Sequence, residues 1–136
     1  MRRRRLALLL ATLPLTAAGP AELDLARDYV VRYRATLPDL RRLALGAAAG
    51  GNVPGSAEVQ AAIDADLTTA EPAYREAMAL ALAEGLPPDA LRRALADGSI
   101  RAEIAASPDA IRLSSTLNRL TFEAVAGMAE RAMKPR

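Results

Sequence analysis

The sequence predicts an all-α fold, a single compact domain of five to seven helices. Alanine, the residue with the strongest intrinsic preference for helix, occurs 32 times among 136 residues, and leucine occurs 21 times. Apolar residues recur every three or four positions along most of the chain, which is the spacing of a helix with one buried face. We find no alternating segment long enough for a β-strand. The chain therefore predicts close-packed helices with little or no sheet.

The N-terminal segment predicts a secretory signal peptide. Four arginines, Arg2 to Arg5, precede an apolar run over 6–15, and small residues follow over 16–21. A basic start, an apolar centre and a small-residue end are typical of a signal that is cleaved on export. The apolar run is shorter than the roughly 20 residues that a membrane-spanning helix needs. We therefore expect cleavage after Ala18 or Ala21, with an uncleaved N-terminal anchor as the alternative.

The chain is thus predicted to consist of a signal peptide over 1–21 and a helical domain over 22–136. We expect the domain to be periplasmic or secreted. Without Arg2 to Arg5 the chain has 14 basic and 16 acidic residues, a net charge of −2. A mildly acidic domain has no long-range attraction for phosphate backbones or anionic lipid. We therefore expect no nucleic-acid partner and no stable membrane insertion after cleavage.

The first half of the domain predicts three helices, each bounded by local signals. The helix over 21–36 ends before Pro38, and the helix over 39–49 ends at the glycines of the loop 50–56. Ser56 is a good N-cap for a third helix over 57–67.

The second half of the domain predicts a central helix and a long C-terminal one. Thr68 and Glu71 have the spacing of a capping box, which predicts a new helix over 70–84 with Pro72 in its first turn. The uninterrupted apolar run over 77–83 predicts that this helix is the most buried. Shorter helices over 88–96 and 99–106 follow, and Ser107 and Pro108 predict the start of the longest helix, over 108–133.

The chain contains no histidine and no cysteine. Zinc and copper sites, imidazole-activated nucleophiles and thiol redox chemistry are therefore excluded, and no disulfide forms. We expect no metal and no cofactor.

Carboxylates are the remaining catalytic candidates. Glycoside cleavage needs two of them across a cleft, and four lie close together in the sequence: Asp64, Asp66, Glu71 and Glu76. Acidic residues on surface helices are usually solvated, so we expect no catalytic residue here. A carboxylate-dependent hydrolase acting on envelope glycan or peptide remains the alternative function.

Two groups of side chains are candidate interaction sites. Tyr29 and Tyr33 lie four residues apart on the first helix and are either binding anchors or partly buried core. On the long helix, a mixed stripe runs beside the apolar stripe that extends from Leu113 to Met128. The mixed stripe consists of Ile111, Ser115, Asn118, Phe122, Val125, Ala129 and Met133. Two stripes imply contacts on two sides, so we expect the mixed stripe to be partly exposed around Phe122 and to serve self-association or a partner helix. The alternative is that Phe122 is the one aromatic residue of the core.

The segment 104–113, which reads IAASPDAIRL, resembles a helix junction in a family of small all-helical secreted bacterial proteins of unknown function. The family's string is roughly Phe-Tyr-x-Ser-Pro-x-Gly followed by a long apolar helix. Ser107, Pro108 and the following helix match, whereas alanines, among them Ala110, stand in place of the aromatic pair and the glycine. The resemblance covers the last third of the chain and implies a helical exported fold without assigning a reaction.

Together these features indicate an alanine-rich, exported, non-catalytic helical domain that binds a protein or an envelope component.

Export predicts a defined mature N-terminus. N-terminal sequencing of the exported protein is expected to begin at Gly19 or Glu22, because the small residues before these positions suit a signal peptidase. An intact Met1 in the membrane fraction would instead establish the anchored form.

Overall fold

The computed structural model of the protein describes residues 19–49 and 56–134. These ranges contain six α-helices and no strand, and a 3-10 turn over Arg34–Thr36 follows the first helix. The helices are α1 (Pro20–Arg32), α2 (Leu40–Ala48), α3 (Ala57–Gly85), α4 (Pro88–Asp97), α5 (Ile100–Ala106) and α6 (Ala110–Met133). The all-α prediction is therefore confirmed. The signal segment 1–18 and most of the loop predicted over 50–56 lie outside the described residues.

Helix α3 is the centre of the domain. It packs extensively against α1, α2 and α6, and its C-terminal end meets α4. Six of its residues are buried: Ile63, Tyr74, Met78, Ala79, Leu82 and Ala83. The last four of these fall within the apolar run over 77–83 that was predicted to be central. The prediction of a buried helix here is confirmed, with one exception. Leu80 is 44% exposed, so one side of the run faces solvent.

The expected break before residue 70 is wrong, because α3 continues through Pro72 as one helix of 29 residues. A proline inside a helix removes one backbone hydrogen bond and crowds the preceding turn. Pro72 and Thr68 both face solvent, however, so the carbonyl that Pro72 cannot satisfy is open to water. The buried side chains of Ile63 and Tyr74 lie on either side of the proline, and an unbroken helix keeps both in the core. The Thr68 hydroxyl donates to the Ala65 carbonyl instead of capping a new helix.

Side-chain and glycine caps define several helix ends, among them the one expected at Ser56. The Asp39 carboxylate accepts a hydrogen bond from the Arg42 amide, and the Ser56 hydroxyl accepts one from the Val59 amide. Gly98 ends α4 with a φ of 75°, in the left-handed region that glycine adopts at little cost. The ring of Tyr33 packs over Gly98, where a Cβ atom would lie 3.0 Å from the ring.

The start of the long helix differs from the prediction. Ser107 caps a turn, accepting a hydrogen bond from the Asp109 amide at 3.2 Å, and α6 begins only at Ala110. The 3-10 turn after α1 likewise shortens that helix relative to the expected 21–36. Among the residues that the structure describes, no helix is long and apolar enough to cross a membrane.

Burial of Met78 gives a test of this topology. Met78 is 6% exposed on the central helix, so Met78→Asp places a charge without a partner in the core. Such a change costs about 3–5 kcal/mol, a large part of the roughly 5–15 kcal/mol that stabilises a domain. We expect loss of the cooperative thermal transition in circular dichroism. Leu80→Asp, on the exposed side of the same helix, is the control and should fold; equal melting temperatures of the two variants would contradict the topology.

Candidate functional site

Tyr29 and Tyr33 belong to the packing between α1 and α4. Tyr29 is 1% exposed, and its ring centroid lies 4.8 Å from that of Tyr33. The hydroxyl of Tyr33 donates to the Leu95 carbonyl at 2.8 Å. Burial raises the pKa of the Tyr29 phenol. The burial of Tyr29 and the hydrogen bond of the half-buried Tyr33 favour the alternative that the two tyrosines are core residues.

The polar residues of α6 divide between internal and exposed positions. Thr121 is half-buried, where its hydroxyl lies 2.7 Å from that of Tyr74 and donates to the Leu117 carbonyl. Ser115 and Asn118 are exposed. Thr121 therefore helps to dock α6 on α3, whereas Ser115 and Asn118 remain available at the surface.

The exposed large apolar residues of α6 lie along one side of the helix. Ile111 is 86% exposed, Phe122 72% and Met133 60%. We call this surface the Phe122 face and define it by Ile111, Ser115, Asn118, Phe122 and Met133. The alternative that Phe122 is the aromatic residue of the core is wrong. Two further residues of the mixed stripe are covered by the rest of the domain, since Val125 is half-buried and Ala129 is 7% exposed.

The inner side of α6 explains why this face is left outside. Leu113 and Met128 are buried, and Leu117, Leu120 and Ala124 pack against the core. These residues lie on the opposite side of the helix from Phe122, so α6 already docks without it. A side of a helix that keeps three large apolar side chains in solvent is therefore a candidate contact surface.

A charged flank borders the Phe122 face on one side. It consists of Arg112, Arg119, Glu123 and Glu130, all exposed. At 100° per residue, these four positions fall within a sector of about 40° next to Phe122. Among the described residues, only Arg112 in this flank has an ion-pair partner, Asp109 at 4.0 Å. The flank is therefore basic in the first half of α6 and acidic in the second.

The four carboxylates considered as catalytic candidates all lie on α3, and each pairs with an arginine from another element. Asp64 accepts from Arg41 at 2.6 Å and Asp66 from Arg131 at 2.9 Å. Glu76 accepts from the Nε atom of Arg27 at 3.1 Å. Glu71 pairs with Arg34. These pairs attach α1, the 3-10 turn, α2 and α6 to the central helix.

The electrostatics of these pairs disfavour acid catalysis. Hydrogen bonding to Arg41 lowers the pKa of the Asp64 carboxyl, and Arg27 lowers that of Glu76 in the same way. A general acid at neutral pH needs a raised pKa, which is the opposite direction. The geometry therefore gives no support to the carboxylate-dependent hydrolase.

A cleft of about 600 Å³ opens between the 3-10 turn, α2 and α3. Four arginines line it, and three already have partners within the protein: Arg32 donates to the Leu95 carbonyl, Arg34 pairs with Glu71 and Arg41 with Asp64. Arg75 is half-buried, and its Nε atom lies 3.8 Å from Glu71, beyond hydrogen-bond distance. The charges of Arg34 and Arg41 are thus neutralised within the fold, whereas the guanidinium of Arg32 is held by a neutral carbonyl.

Within the described ranges, no three acidic side chains converge in a way that could hold a metal ion. Comparisons with protein-family models, curated proteins and solved structures find no match to this chain. The resemblance over the last third of the chain therefore stays a prediction, and the Phe122 face is the candidate functional site on geometric grounds.

The ion pairs predict an acid-sensitive fold. Because the folded pKa values of Asp64 and Glu76 are lowered, their stabilising contribution is present above the unfolded values and is lost as pH falls through the folded ones. The melting temperature should therefore decrease when the pH is lowered below about 4. In the double variant Asp64→Asn and Glu76→Gln, the difference in melting temperature between pH 7 and pH 3 should be smaller than in the wild type. Glu84→Gln, an exposed change on the same helix, is the control, and an equal effect would contradict this role.

Proposed function

We propose that the protein is an exported, non-catalytic helical domain that acts by binding another protein chain through the Phe122 face. The observation that carries the proposal is the exposure of Ile111, Phe122 and Met133 along one line of α6. Covering these three large apolar side chains with a partner is favourable, because it lowers the free energy by about 25 cal/mol for each Å² of apolar surface removed from water. The polar side chains of Ser115 and Asn118 between them supply hydrogen-bonding groups to a contact that is otherwise apolar.

The distribution of chemistry along the chain supports a binding role. The chain lacks histidine and cysteine, and each of the clustered carboxylates of α3 forms an ion pair with an arginine. The exposed side of α6 presents apolar, amide and charged groups, which is a set suited to protein recognition.

Export is part of the proposal and rests on the N-terminal sequence. The position of α1 bears on the cleavage site, because Gly19 is the N-cap of α1 and Pro20 its first residue. Cleavage after Ala18 leaves the helix whole, whereas cleavage after Ala21 removes the start of its first turn. Of the two expected sites, we therefore favour Ala18.

The binding role predicts that Phe122→Ser loses binding without losing stability. Phe122 is 72% exposed, so the change removes little core packing and the melting temperature should stay within a few degrees of the wild type. Two readouts apply to the exported protein: its self-association in sedimentation velocity, and the proteins it retains from an envelope extract.

Val31→Ser is the matched control, because Val31 is 69% exposed on α1, away from the Phe122 face. We expect binding in either readout to be lost in Phe122→Ser and kept in Val31→Ser. Equal behaviour of the two variants in both readouts, or unfolding of Phe122→Ser, would contradict the proposed function.

A further inference from the structure

The large residues of the Phe122 face are evenly spaced. Ile111, Phe122 and Met133 stand eleven residues apart, close to three turns of helix, so they lie almost in line at intervals of about 16 Å. Phe122 is the midpoint of this row and lies near the middle of α6, which spans Ala110–Met133. Because Phe122 is eleven residues from both Ile111 and Met133, the row can align with an antiparallel copy of itself.

We propose that the partner of the Phe122 face is a second copy of this chain, bound through an antiparallel pair of α6 helices. The proposal rests on the proposed function and names its partner. With a two-fold axis beside Phe122, the two Phe122 rings meet at the axis, and each Ile111 lies opposite Met133 of the other copy. One surface then serves both partners, as in most symmetric dimers.

The charged flank supports the same arrangement independently. A two-fold axis perpendicular to the helices brings equivalent flanks to the same side, in opposite directions. Arg119 then lies beside Glu123 of the other copy, and Arg112 beside Glu130, with offsets of about 3 Å that these long side chains can span. Exposed ion pairs add little affinity each, but they select orientation because reversal of one charge opposes like charges.

A parallel pair lacks this complementarity. Its two-fold axis runs along the helices and places the charged flank of one copy beside the opposite flank of the other, where Ser114 and Thr121 lie. The four charges then have no partners across the contact. The distribution of charge therefore favours the antiparallel pair.

Small side chains between the large ones allow the two helices to approach. Ser115 is exposed within the row of large residues and the half-buried Ala126 lies beside it, and helices pack at 8–10 Å only where such small residues leave room. Asn118 comes opposite Ala126 of the other copy. A contact made by one helix from each chain is at the small end of specific interfaces, so we expect a dimer that forms with rising concentration.

Single-cysteine cross-linking tests the orientation, since the chain has no cysteine of its own. Ile111→Cys and Met133→Cys, kept reduced and then oxidised mildly at a concentration where sedimentation shows a dimer, should each give little cross-linked product alone. An equimolar mixture should give a cross-linked heterodimer, because these two positions meet only in the antiparallel pair. Both changes are at exposed residues, and thermal melts confirm the fold of each variant.

Charge reversal tests the flank. Arg112→Glu with Arg119→Glu makes the flank wholly acidic, and Glu123→Arg with Glu130→Arg makes it wholly basic. We expect at least a tenfold weaker self-association of each variant alone and recovery of dimer on mixing the two. Reversal of Arg92, which lies on α4, serves as the control for a general effect of net charge.

Three results would overturn the inference: a monomer at all concentrations up to several hundred micromolar, efficient cross-linking of Ile111→Cys with itself, or charge variants that associate as the wild type does. The proposed function is judged separately. A protein retained by the wild type and by Val31→Ser but not by Phe122→Ser would uphold that function while a monomeric chain excludes the dimer.

Discussion

Seven of the eighteen buried apolar residues in the described ranges are alanines, so the helices around α3 must approach closely to exclude water. A small side chain fills little space, and a wider gap between helices would leave voids that native interiors do not tolerate. The contact between the end of α3 and the start of α6 shows how close the approach is. A Cβ atom at Gly85 would lie only 2.7 Å from the side chain of Leu113. The same tight spacing leaves little room for aromatic rings on the inner side of α6, which is lined by Leu113, Ala124 and Met128. The exposed position of Phe122 is thus consistent with the packing of the core.

Ion pairs specify which helix lies beside which part of α3. Each pair in the series from Asp64 to Glu76 is partly exposed and adds little to the free energy of unfolding. Their value lies in specificity, since the partners come from α1, the 3-10 turn, α2 and α6 and each fits one register only. An alanine-rich core has few distinctive shapes with which to define such registers. Polar complementarity at the rim of the helix contacts compensates for that.

Sequence patterns identified the fold class and most helix ends because those ends depend on neighbouring residues. Asp39, Ser56 and Gly98 cap their helices through contacts within a few positions. The same local signals failed at Thr68 and Pro72, where a favourable capping pattern competes with burial of side chains on both sides of the proline. That competition is decided by tertiary packing, which no local pattern contains. The candidate site shows the same limit. Two stripes on α6 indicated that one of them would be exposed, but the burial of Tyr29 and the arginine partners of Asp64 and Asp66 depend on helices distant in the sequence.

The inner side of α6 packs on the core and its outer side carries exposed apolar residues. Association through the outer side therefore also affects the stability of the fold. A small core with many alanines buries less apolar area for each residue than one built from leucine and phenylalanine alone. A partner that binds the folded chain alone stabilises it by mass action, and the gain rises with partner concentration. If the partner is another copy, dimerisation through the Phe122 face buries apolar area in addition to that buried in the core. The charged flank keeps that contact from becoming indiscriminate, because Arg119 and Glu123 are satisfied in one orientation of the two helices and not in the other. Stability and specificity then have separate sources on the same helix, the apolar row for the first and the charge pattern for the second.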